Sequence, residues 1–132
     1  MKKSLILLSV LVLFGCVNTN NVEVAKEVKK LENKEYKISK IIVKDTNKEY
    51  SNSSNWSLII EDNKLGMFVG CNRIFSAIKQ ENNNIYYENP ASTKMMCPNQ
   101  VMEVENAVAS SLTSMQIIEN GLENDKVKII FE

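Results

Sequence analysis

Leu65-Gly66-Met67-Phe68-Val69-Gly70-Cys71 is the stretch on which the fold turns. Leu65, Met67, Val69 and Cys71 alternate with smaller or outward-facing positions. A period of two is that of a β-strand with one buried face, so all four side chains are expected to point inward. The same alternation recurs on both sides. Upstream, Trp56, Leu58 and Ile60 form a partner strand, joined to the first through the turn Glu61-Asp62-Asn63-Lys64. Further upstream, Tyr36 to Val43 reads as the first strand and the polar run Asp45 to Asn55 as a loop. Downstream, Ile74 to Lys79 and Ile85 to Tyr87 make a hairpin about Gln80 to Asn84. Gln116 to Glu119 and Lys126 to Phe131 make a last pair about Asn120-Gly121, with Val127, Ile129 and Phe131 on one face.

One segment changes period. Val101, Val104, Val108, Leu112 and Met115 recur at steps of three and four, the stripe of an amphipathic helix. Pro98 suits the first helical position, where a missing N–H costs nothing. Strands on both sides of a single helix predict an α+β domain. Its expected form is an antiparallel sheet or partly open barrel packed with one main helix.

Composition narrows the function. The chain has 132 residues, enough for one domain, with 16 basic and 16 acidic side chains. It shows neither the basic excess nor the basic cluster of a nucleic-acid binder, so no nucleic-acid partner is expected. The sequence contains no histidine. That removes Ser-His-Asp and Cys-His nucleophile pairs, His-ligated metals and the usual general base near neutral pH. Neither a cofactor, a metal site nor catalytic residues are expected, and the chain reads as a non-enzyme.

The N-terminus carries an address. Met1-Lys2-Lys3 is a positive start, and Leu5 to Gly15 is an apolar run broken by Ser9. A bilayer span takes roughly 20 residues, so this run suits a secretory signal instead. Leu13-Phe14-Gly15-Cys16 resembles a bacterial lipoprotein signal, which makes residues 1–15 the signal peptide and Cys16 the lipidated N-terminus. Two or three acyl chains on Cys16 anchor a protein stably. The polar residues 17–35 read as a flexible tether, with a short helix through Val24, Val28 and Leu31 as the other possibility. The globular domain is expected over 36–132, held at the bacterial cell envelope, at the outer membrane facing the periplasm or the outer face of the cell membrane.

Two further motifs are Gly70-Cys71-Asn72-Arg73 and Ala91-Ser92-Thr93-Lys94-Met95-Met96-Cys97-Pro98, followed by Met102 and Glu105 in the predicted helix. In this order and spacing they resemble the META domain family, the HslJ-like lipoproteins, over essentially the whole mature domain. The resemblance implies a compact α+β fold in the bacterial envelope and a link to heat-shock and stress tolerance. It implies no assigned molecular activity. The chain departs from the family pattern at Ser76, where glycine is usual, and at Ile78, where an aromatic is usual.

An exported protein with two cysteines left over invites a disulfide, here between Cys71 and Cys97. A bond closing a loop of 26 residues stabilises by about 3.5 kcal/mol in the chain-entropy account. Two buried thiols and a redox-active pair are the alternatives, the last because Cys97 stands just before a helix. Gly70 suits a bulge or a close backbone approach, Asn72 a turn cap, and Ser92 and Thr93 caps ahead of the helix. Arg73 and Glu105 carry opposite charges and are candidates for an ion pair. Met95, Met96 and Met102 read as core filler near Cys97, with a soft ligand-binding surface as the alternative. Asn72, Arg73, Thr93 and Glu105 together form the candidate recognition cluster. The expected role is to bind or stabilise an envelope component, protein or ligand. Inhibition of an envelope hydrolase or small-ligand binding is the alternative, and thiol oxidoreduction a third.

Overall fold

The computed structural model describes residues 27–132. Nine strands and one helix follow in the order β1 (Glu35–Val43), β2 (Lys48–Ser51), β3 (Ser57–Glu61), β4 (Lys64–Phe68), β5 (Arg73–Glu81), β6 (Asn84–Ser92), α1 (Asn99–Ser111), β7 (Ser114–Ile118), β8 (Gly121–Glu123) and β9 (Val127–Phe131). All pairings are antiparallel. Neighbouring strands pair from β3 through to β9, and β1 then joins β9 on one edge and β3 on the other. Eight strands therefore close into a barrel, and the expectation of an open sheet or partly open barrel is corrected. β2 lies outside the ring, paired to the far half of β1. Closure leaves an interior just wide enough for side chains. Ile38, Ile41, Leu58, Leu65, Ile74, Ile85, Leu122 and Ile129 fill it.

Two hairpins turn at residue pairs with positive φ, Asp62-Asn63 and Asn82-Asn83. Such two-residue loops match the right-handed strand twist, and asparagine tolerates the left-handed region well. Two bulges bend the ring. Ser39 is the extra residue in β1 against β9, which is why Ile38 and Ile41, three positions apart, both point inward. Asn89-Pro90 supplies the extra residue in β6 against β5.

The ends of the barrel are covered differently. α1 lies over the rim where β4 and β6 end and β5 and β7 begin, and Val104, Val108 and Leu112 join the barrel core. The side-chain amide of Asn124 donates to the carbonyls of Ser111 and Ser114, pinning the helix exit to the β8–β9 turn. Across the other end runs the segment 29–34. Leu31 is 9% exposed and belongs to the core, and its N–H and C=O are both bonded by the Gln80 side chain. The tether reading is therefore corrected for these residues. They are part of the domain and are not helical. The signal peptide, Cys16 and the first part of the tether lie outside the described residues.

Smaller corrections follow from the register. The polar run after β1 contains the strand β2. The last strands are three, with β8 between β7 and β9, because Gly121, Leu122 and Glu123 pair with both neighbours. Met115 belongs to β7, and Pro98 is the residue before the helix rather than its first. β4 stops at Phe68, so Cys71 stands half-buried on the rim instead of in the core.

Candidate functional site

The two cysteine motifs meet at the helix-covered rim. Gly70-Cys71-Asn72 links β4 to β5, and Thr93 to Pro98 links β6 to α1. Gly70 has φ +126°, and a Cβ on it would stand 2.8 Å from Cγ1 of Val101 on the helix. Glycine is needed here for both reasons, and its absence of a side chain brings the helix down onto the link. Cys71 and Cys97 lie at disulfide distance, with Cα atoms 6.3 Å apart.

Beneath the bridge lies a buried polar clamp. Glu105, in the second turn of α1, is 5% exposed. One of its carboxyl oxygens accepts the backbone N–H of Cys71 at 2.8 Å and that of Asn72, while the other accepts from the Asn72 side-chain amide at 2.9 Å. The Asn72 side-chain oxygen accepts from the Thr93 hydroxyl at 3.0 Å and the Met95 N–H at 2.7 Å. Thr93 Oγ1 in turn accepts the N–H of Arg73 at 3.0 Å. Three chain segments are thus sewn together by three side chains. A buried carboxyl requires such donors, since unpaired it would be costly to bury.

Of the four candidate recognition residues, the structure brings Asn72, Thr93 and Glu105 together and leaves Arg73 outside. The candidate Arg73–Glu105 ion pair is absent among the described residues. The Arg73 guanidinium lies over the ring of Phe68, 5.6 Å from its centroid, on the outer wall of the barrel. Thr93 binds the β5 start rather than capping the helix, and no side chain caps α1. Asn72 reaches across to another segment rather than closing its own turn.

The clamp holds open a cleft of about 370 Å³ between the 92–96 segment and α1. Asn72, Glu105 and Ile74 line it, with Asn106 and Ala109 on the helix side. Met95, Met96 and Met102 form the other apolar lining. Here the core-filler reading is corrected. Met95 is 54% exposed, Met96 is 97% exposed and Met102 is half-buried. The signal was present in the sequence. Neither a two-residue nor a helical apolar period runs through Ser92 to Cys97, so nothing in the pattern assigned Met95 and Met96 to a core face. Among the described residues, no three Cys, Asp or Glu side chains gather as metal ligands would.

The META domain family model matches residues 29–127. This chain belongs to the META domain family. The match begins at the Leu31 segment, which agrees with that segment's place in the META fold. No curated protein matches the chain. Among solved structures, it is similar to an NMR structure of a protein from Burkholderia xenovorans, with a TM-score of 0.60 and 15% identity, over 77% of this chain and 83% of that one. At that identity the likeness concerns the META fold alone.

Proposed function

We propose that this META domain is a lipid-anchored, non-enzymatic envelope protein whose methionine cleft binds an apolar segment of an envelope partner. Membership of the family points to an envelope-associated or stress-related protein, and the META domain is not a known enzymatic family. One observation carries the rest. The segment bearing Met95 and Met96 is fixed by a bridge and a buried clamp, yet it turns its apolar side chains to solvent. Ordering a loop costs entropy and exposing thioethers gains nothing for the fold, so a surface that does both is suited to binding. Methionine is adaptable enough to receive irregular apolar partners. A small ligand in the barrel mouth has less support, because α1 covers one end and the Leu31 segment the other. A photoreactive residue in place of the exposed Asn106 tests this reading in intact envelopes. A discrete adduct at position 106, absent with the same residue at Glu61 on the far end, is expected. Equal labelling at both positions overturns it. The anchor is tested separately: Cys16→Ser should abolish incorporation of labelled fatty acid, and a wild-type protein without acyl mass contradicts it.

A further inference from the structure

Sulfur in the described part of the chain is sharply divided by exposure. Cys71 and Cys97 are tied to each other, so the oxidisable sulfur is thioether. Met67 and Met115 lie in the core at 2% and 1% exposed. Met96 projects almost wholly into solvent, with Met95 half exposed beside it and Met102 behind. Oxidation of a thioether requires an oxidant to reach the sulfur lone pair, so this arrangement ranks the five sites by accessibility.

We infer that Met96, followed by Met95, is a site of reversible sulfoxidation that switches the cleft from apolar to polar. A peroxide is the oxidant class. The Sδ lone pair attacks one peroxide oxygen, the S–O bond forms and the O–O bond breaks, and hydrogen peroxide leaves as water. The thioether loses two electrons and the peroxide gains them. The product carries a strong hydrogen-bond acceptor where the cleft presented hydrocarbon and sulfur.

The surrounding construction suits such a switch. Asn72 binds the backbone N–H of Met95, not its side chain, and Glu105 binds backbone and amide groups only. Adding oxygen to either exposed sulfur therefore breaks none of the clamp bonds. The fold persists while the surface changes character. A core methionine behaves oppositely: Met115 accepts the Tyr87 hydroxyl at 3.3 Å in the interior, and its oxidation would disrupt packing.

The switching consequence rests on the proposed binding role, whereas the modification itself does not. The folded full-length mature protein is treated with limiting hydrogen peroxide, and sulfoxide is mapped by peptide mass spectrometry against time. Met96 is expected to react first and Met95 second, with Met67 and Met115 slower by on the order of tenfold or more. Methionine sulfoxide reductases should reverse the early adducts, and the melting temperature should hold. Comparable rates at Met67 or Met115, or melting that falls with the first adduct, overturns the assignment. For the switch, the photoreactive Asn106 variant is compared with and without peroxide. Loss of adduct on sulfoxidation, recovered after treatment with methionine sulfoxide reductases, is expected, and undiminished adduct from sulfoxidised protein overturns the switch. Absence of adduct from untreated protein would instead count against the binding reading, leaving the mapped sites standing.

Discussion

Glu105 accepts the backbone N–H of Cys71 at 2.8 Å, from a helix to a strand link 34 positions earlier in the chain. The bond ties the covering helix to the same link that the disulfide ties to the helix entry. Removing either member loosens one rim of the barrel. Glu105→Ala leaves the buried N–H of Asn72, the part-buried N–H of Cys71 and the Asn72 side-chain amide short of an acceptor, at about 1–3 kcal/mol for each buried group left unsatisfied. We expect a total loss of about 3 kcal/mol or more by denaturant unfolding, with Glu105→Gln losing less because one acceptor oxygen remains. Cys71→Ser should cost about 2–5 kcal/mol. Full stability of Glu105→Ala would show that the clamp is idle.

Gly70 and Gly66 make a matched pair of tests. Ala at Gly70 meets Val101 at 2.8 Å and a φ of +126°, whereas Ala at Gly66 meets nothing within 4 Å. Gly70→Ala is expected to cost about 1–3 kcal/mol, and Gly66→Ala to stay within about 0.5 kcal/mol of wild type. Equal effects in thermal unfolding would mean that the helix does not rest on Gly70 as described.

Leu31 tests where the domain begins. Leu31→Ala removes a core side chain from the Leu31 segment and should cost about 2–3 kcal/mol, near the lower part of the range for buried leucine. Truncation up to residue 28 should leave melting unchanged, and truncation through residue 34 should lower it. A domain that melts identically without residues 29–34 would restore the simple tether.

Much of this architecture is legible in the chain. Leu65 and Met67, Leu58 and Ile60, and Val127 and Ile129 all alternate and all point inward, because a two-residue period and a buried face are the same constraint. The helix stripe through Val104 and Val108 is equally plain. Closure of the barrel is not, since it depends on β1 pairing along both edges, and pairing of distant strands leaves no local trace. Leu31 is hidden for a related reason: a lone apolar residue in a polar run looks like tether until a barrel end is there to receive it. At the site, the two motifs announce Cys71, Asn72, Thr93 and Glu105. Charge alone suggested an Arg73–Glu105 pair, which the outward phase of Arg73 on β5 denies.

Two surface carboxyl groups give the stability a pH dependence. Glu103 is held below its ordinary pKa of 4.5 chiefly by its hydrogen bond to Lys48, and Glu123 likewise by its bond to Lys44. A depressed folded-state pKa contributes stability that is fully present above the unfolded value and is lost as pH falls through the folded one. Melting should therefore decline as pH drops below about 4.5, less steeply in Lys48→Ala and Lys44→Ala and in high salt. A decline as steep in both variants as in the wild type would assign the acid sensitivity elsewhere.

The central claim is that the clamp shapes the rim while Met95 and Met96 make the contact. It is tested most directly by the adduct from a photoreactive residue at Asn106, measured in a Met95→Ser/Met96→Ser background alongside the melting temperature. Loss of the adduct with unchanged melting is the predicted result. A full adduct with both thioethers gone would contradict the account.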